Sequence, residues 1–213
     1  MREDVNRWSD PAWALRYLAE RDSIPHRAEG RSVLVEVLPE NVGRVLDLGT
    51  GDGDTLALVL AARTGAVGVG LDFQDEMLSR ARRRFADGRR AEIRGHDLRE
   101  PLPDDLGEFD LVVSSFAIHH LQPSRQQQLY REIGERLRRG GSFLHLEHVA
   151  SPTPALHEAF LRAIGKTPAE DDPSNKLVPV GTHLAWLADA GLGDGECLWK
   201  WRELALLGAV RPA

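Results

Sequence analysis

Little in this chain could cross-link, anchor or stack. One cysteine, Cys197, stands among 213 residues, so no intrachain disulfide and no cysteine-based zinc site can form. Of 27 basic residues only Lys166, Lys176 and Lys200 are lysine, which reads as a compositional bias toward arginine. No apolar run approaches the length that spans a bilayer. The opening stretch MREDVNRWSDPAWALRYLAE is charged and lacks the apolar core of a signal peptide. These absences lead to an expected cytoplasmic protein with no membrane partner. A net charge of −6 and a pI near 5.8 argue against bulk binding to nucleic acid. Eight arginines between Arg80 and Arg99 come with only Phe85 as a stacking ring, so a solvated helix face is expected there.

What is present alternates. After an N-terminal segment (1–40) expected to form a helical cap, with Asp10 capping a helix begun by Pro11, short apolar runs exchange with helical stretches. Strands are expected at 44–49, 66–72, 91–97, 109–115 and 142–149. Helices are expected at 55–64, 74–86 and 124–141, the last capped by Ser124 and ended by Gly140 and Gly141. Near-continuous apolar strands between helices mean parallel βαβ units buried on both faces. A proline-rich segment, 151–180, interrupts the alternation and is expected to form a lid. A helix closed by Gly191 follows, then ECLWKW and LALLGAV around a tight turn at Arg202 and Glu203. That turn demands an antiparallel pair. The expected fold is α/β: a Rossmann-like, seven-stranded mixed sheet, mostly parallel with the last strand antiparallel, over residues 41–213.

The loop in VLDLGTGDGDT (45–55) carries most information. Gly49, Gly51 and Gly53 separate a strand from a helix, where backbone can approach a ligand closely. A dinucleotide fingerprint would need glycine at 54, and Asp54 is there. Asp47, before the loop, repels phosphate and suits a ligand with a positive group such as an ammonium; the alternative is a buried structural carboxylate. Asp72 ends the second strand, where a carboxylate can accept from both ribose hydroxyls. Asp97 ends the third.

With VLDLGTGDG, VGLD, GHDL, FDLVVSSFAIHHL and LRRGGSFLHLEH in this order, the chain resembles the class I S-adenosylmethionine-dependent methyltransferases over residues 40–150. The resemblance implies S-adenosyl-L-methionine as cofactor and S-adenosyl-L-homocysteine as product. It implies Gly49 and Gly51 beside the methionine moiety, Asp47 anchoring its ammonium through water and Asp72 on the ribose. Phe73 and Met77 would pack near the adenine (plain core is the equal alternative), and Asp97 and Leu98 would read its edge. Ser114 and Ser115 would lie near the sulfonium. Arg27 would pair with the cofactor carboxylate and Tyr17 line the entrance, against a surface arginine and a packed tyrosine.

Methyl transfer from a sulfonium is an in-line displacement, and a base helps when the acceptor carries a proton. Histidine suits this near neutrality. His119 and His120 leave the fourth strand at the acceptor side; alternation turns His119 to the pocket as base and His120 into the packing below. His148 and Glu147 end the fifth strand and would line the same pocket, His148 as a second catalytic group and Glu147 as a substrate contact, and His145 is expected to be packed. A metal held by these groups is not expected, because Phe116, Ala117 and Ile118 cannot be ligands. The expected function is methyl transfer to O or N of a small-molecule acceptor, by a monomer or homodimer. The alternatives are a tRNA- or protein-modifying methyltransferase and a non-catalytic S-adenosylmethionine-binding protein.

Overall fold

The computed structural model describes residues 7–86, 88 and 90–213. Seven strands form one sheet: β1 (Arg44–Leu48), β2 (Val67–Asp72), β3 (Ala91–Gly95), β4 (Phe109–Ser115), β5 (Leu137–His148), β6 (Gly193–Trp201) and β7 (Leu204–Val210). Their order is β3-β2-β1-β4-β5-β7-β6. β1 to β5 run parallel, and β7 lies antiparallel between β5 and β6. The expected mixed sheet is therefore the observed one. β1 reads Arg-Val-Leu-Asp-Leu with all but its first residue buried, as a strand covered on both faces requires.

The order reverses between β1 and β4, which opens a crevice at their carboxyl ends. Two apolar layers flank the sheet. One joins Leu46, Val112 and Phe143 to Tyr130 and Ile133 of α5 (Pro123–Arg136). The other joins Val45, Val113 and Leu146 to Leu56 and Val59 of α3 (Asp54–Ala62) and to Leu34 and Leu38. Leu34 lies on α2 (Arg27–Glu36), whose Gly30 approaches Trp199 so closely that a Cβ would lie 2.7 Å from its ring. The N-terminal segment thus divides. α2 belongs to the sheet's covering layer, whereas α1 (Pro11–Glu20) lies over the crevice, started by Asp10 accepting from the Ala12 N–H at 2.9 Å.

Two boundaries differ from expectation. The helix expected at 124–141 ends at Arg136, because Leu137 pairs with Phe109 and already belongs to β5. Gly140 and Gly141 do not end the helix; Gly140 sits at φ +77 within β5, beside a register shift between Phe109 and Leu111. The expected Ser124 cap is Gln122 followed by Pro123. The arginine run is spent within the fold: Arg84 pairs with Asp52 at 2.8 Å, Arg94 with Asp105 at 2.7 Å, and Arg90 donates to the Leu60, Arg63 and Ala66 carbonyls. Arg89 lies outside the described residues.

Between β5 and β6 come α6 (Pro154–Ala163), begun by Thr153 accepting from the Leu156 N–H, and α7 (Val180–Asp189). Together with α4 (Asp75–Arg84) they complete the helices. If α2 is part of the core, Leu34→Ala should cost about 2–5 kcal/mol, read as a lower urea midpoint in one transition. Leu15→Ala on the exposed side of α1 should change stability by no more than about 0.5 kcal/mol.

Candidate active site

Two pockets meet at the crevice. The first is lined by the glycine loop (Gly49, Thr50, Gly51), by Asp72, Phe73 and Met77 after β2, by Asp97 and Leu98 after β3, and by Ser115 and Ala117 after β4. The loop folds this way because Gly49 and Gly51 take φ +68 and +56. A Cβ on Gly49 would collide with that of Ala117. Asp72 is held by the Gly51 N–H at 2.8 Å and the Gln74 N–H at 3.0 Å. Burial pushes its carboxyl above the usual range against these donors. A carboxylate offers about four lone-pair directions, so Asp72 can still accept two ribose hydroxyls.

Asp47 does not line this pocket. It lies buried beneath the loop and accepts from Thr50 Oγ1 at 2.7 Å, while its other oxygen is buried with no close hydrogen-bond partner among the described residues. Burial pushes its carboxyl up to about 7. Asp47 thus lies one layer below the pocket surface with Thr50 above it, a position from which an ammonium is reached through water, as expected, and not by direct contact. Ser114 is a correction. Its hydroxyl is fully buried and donates to the Leu48 carbonyl at 2.8 Å, stitching β4 to β1. Ser115, one residue on, lines the pocket, and its Oγ is buried without a partner.

The second pocket shares Trp8, Tyr17, Arg27, Phe116 and His120 with the first. Ile24, Phe160, Leu161 and Ile164 give it one apolar side, His119 and His148 line it as well, and Lys166, Asp171, Asp172 and Asn175 make its remaining border polar. Phe116 leaves β4 at φ +54, a left-handed angle rare for a bulky residue. Its ring lies under the Arg27 guanidinium at 4.6 Å. Arg27 is buried and donates to the Tyr17 hydroxyl at 2.7 Å.

His119 and His120 do not face opposite ways. Residues 118–120 form a 3-10 turn, so strand alternation no longer applies, and the two rings lie 4.0 Å apart with both in the second pocket. His119 is the more buried. Its main chain is clamped: its N–H donates to Glu147 at 3.0 Å and its carbonyl accepts from the Lys176 N–H at 2.7 Å. Its ring Nδ1 pairs with Glu147 as well. Glu147 is fully buried and lines neither pocket, which corrects its assignment as a substrate contact. Burial opposes its charge, but the His119 and His145 rings overcome this and hold its carboxyl well below the usual range. Burial lowers the pKa of His120 well below its ordinary value, and lowers that of His148 despite Glu203, 2.8 Å from its Nε2.

Sequence reasoning missed Thr50, Trp8, Arg21, Asp52 and Glu203. Arg21 holds Asp52 with two bonds, 2.7 and 3.1 Å, tying the segment after α1 to the glycine loop. A pairing across 31 residues leaves no local signal. Glu203 was read only as a turn residue; its burial beside a histidine comes from the β5–β7 pairing.

A glycine loop, a carboxylate ending β2 and two adjoining pockets at the switch point define a Rossmann-like domain with two neighbouring ligand spaces. Residues 45–141, a little under half of the chain, match the family model described as a methyltransferase domain. S-adenosylmethionine is the chain's cofactor. The chain is 38% identical over 100 residues to an uncharacterised methyltransferase of Synechocystis, covering 47% of this chain and 44% of that one. It is 39% identical over 119 residues to a demethylmenaquinone methyltransferase of Thermus thermophilus, covering 53% and 50%. The chain thus spans about half the length of these curated relatives. An O-methyltransferase family protein from Burkholderia thailandensis superposes with a TM-score of 0.73 at 20% identity, over all of this chain and 66% of that one; this likeness supports the fold.

Asp72→Ala should weaken S-adenosylhomocysteine binding at least tenfold by calorimetry, with little change in melting temperature. Asp47 gives a pH test. Its folded value, about 7, lies above the ordinary 3.8, so below pH 7 the carboxyl is protonated, and an ammonium above the loop favours its ionisation. Cofactor affinity should therefore fall as pH drops from 7.5 to 5.5, with proton release on binding, and Asp47→Asn should flatten that dependence.

Proposed function

We propose that the chain transfers the methyl group of S-adenosylmethionine to an oxygen or nitrogen of a small, largely apolar acceptor, with His119 as general base. The observation that carries this reading is the second pocket: one apolar side with a polar border at Lys166, Asp171, Asp172 and Asn175, an edge shared with the first pocket, and His119 braced from behind by Glu147. S-adenosylmethionine supplies an electrophilic methyl on a sulfonium. The protein's own tasks are to hold the acceptor in line, exclude water and take the acceptor's proton.

In this reading Asp72, Gly49, Gly51, Phe73, Met77, Asp97 and Leu98 hold the cofactor, and Arg27 pairs with its carboxylate. Thr50 and Ser115 join them from the structure. Tyr17, His120 and the α6 residues Phe160 and Leu161 wall the acceptor. With Nδ1 engaged by Glu147, His119 has Nε2 left for a hydroxyl or protonated amine, and Glu147 stabilises the imidazolium that results. His148, held by Glu203, supports as a polar wall. The segment 151–180 then acts as a lid. The Thermus relative, a demethylmenaquinone methyltransferase, favours the apolar acceptor class.

No helix among the described residues is long and apolar enough to cross a membrane. A cytoplasmic location and a monomeric or homodimeric state belong to the same proposal.

The test is a panel of hydroxylated and aminated apolar compounds with radiolabelled S-adenosylmethionine. His119→Ala should lower kcat about 10²- to 10⁴-fold on the accepted compound, with cofactor affinity within about threefold. Unchanged turnover would remove His119 from the role of base.

A further inference from the structure

Behind His119 a line of hydrogen-bonded side chains runs away from the pocket into the core. Glu147 receives four donors: the His119 N–H at 3.0 Å, the His148 N–H at 2.7 Å, the His119 ring and His145 Nε2 at 2.7 Å. Beyond it, the Tyr130 hydroxyl lies 2.8 Å from His145 Nδ1 and 2.7 Å from His183 Nδ1. Tyr130, His145, Glu147 and His183 are all fully buried. His183 Nε2 has no partner among the described residues. The fold assembles this line from α5 (Tyr130), β5 (His145, Glu147) and α7 (His183).

Hydrogen counting allows one neutral arrangement. Glu147 is an acceptor only, so both rings facing it carry N–H there. A neutral His145 protonated at Nε2 has a bare Nδ1, which must accept. The single Tyr130 hydrogen therefore goes to His145. Its oxygen then accepts from His183 Nδ1–H, and the bare nitrogen left over is the unpartnered His183 Nε2. Burial lowers the pKa of His183 to about 3, so it stays neutral, and burial raises that of Tyr130 well above its ordinary value, so it keeps its proton.

We propose that Tyr130 and His183 are positioning residues for His119: by donating to His145 Nδ1, Tyr130 fixes the Nε2–H tautomer of His145, which together with the main chain holds Glu147 against the His119 ring. The proposal rests on the reading of His119 as base. Were the Tyr130 hydrogen turned to His183, His145 Nδ1 would lose its donor, its tautomer would no longer be fixed, and Glu147 would lose the bond that sets its place beside His119. The other titratable groups facing this line are His120 and His148 at the pocket and Glu203 behind His148.

The test needs no acceptor. In the full-length ¹⁵N-labelled protein, imidazole nitrogen shifts report the protonation of each ring nitrogen. The wild type should show His145 protonated at Nε2 and bare at Nδ1, and His183 protonated at Nδ1 and bare at Nε2. In Tyr130→Phe the His145 pattern should change and the His119 ring signals should move with it. His183→Asn, which keeps a donor at the Nδ1 position, should retain the wild-type pattern, whereas His183→Leu should not. Unmoved His145 and His119 ring signals in Tyr130→Phe overturn the proposal. If that variant does not fold, identical His145 and His119 signals in His183→Asn and His183→Leu overturn it. Failure of the wild type to bind S-adenosylmethionine would instead strike the reading on which the proposal stands.

Discussion

A carboxylate with no access to water is the constraint around which the acceptor side is built. Glu147 can remain ionised only if every lone pair is met, because an isolated buried charge costs several kcal/mol. It is met by two backbone N–H groups and two imidazoles. That requirement dictates the 3-10 turn at 118–120, which turns the His119 amide inward. It also explains why α5 and α7 each bury a polar ring in an otherwise apolar layer. A small polar skeleton thus threads a hydrophobic core and ends at His119, on the border of the second pocket.

What could be read in the sequence followed from rules that act along the chain. Strands covered on both faces are continuously apolar, and ligands gather at strand ends, so β1, β2, β4, the glycine loop and Asp72 were legible from local pattern. Asp10 and Pro11 marked α1 for the same reason. Ser114 was misread because the choice between it and Ser115 depends on which of two neighbours faces β1. His120 was misread because strand periodicity was carried past Ser115, where β4 ends, into the turn at 118–120. Gly140 and Gly141 suggest a helix end as readily as a bulge, and only the pairing of Leu137 with Phe109 decides.

Other parts of the site were invisible for a deeper reason. Arg21 with Asp52, and Glu203 with His148 and His157, are partnerships across 31 to 55 residues. Each consists of ordinary surface-type residues whose burial is a product of the fold. The residues that line the first pocket are announced by backbone geometry; the residues that charge or orient them are not.

The wall between the two pockets carries a further consequence. Trp8, Tyr17, Arg27, Phe116 and His120 border both spaces, so any ordering of these side chains by one occupant is already done when the other arrives. Such coupling is reciprocal by thermodynamic necessity: whatever factor the cofactor adds to acceptor affinity, the acceptor returns to the cofactor. Once the methyl has moved, the wall faces a methylated acceptor and an uncharged thioether, and the same shared surface that drew the two reactants together governs the parting of the two products.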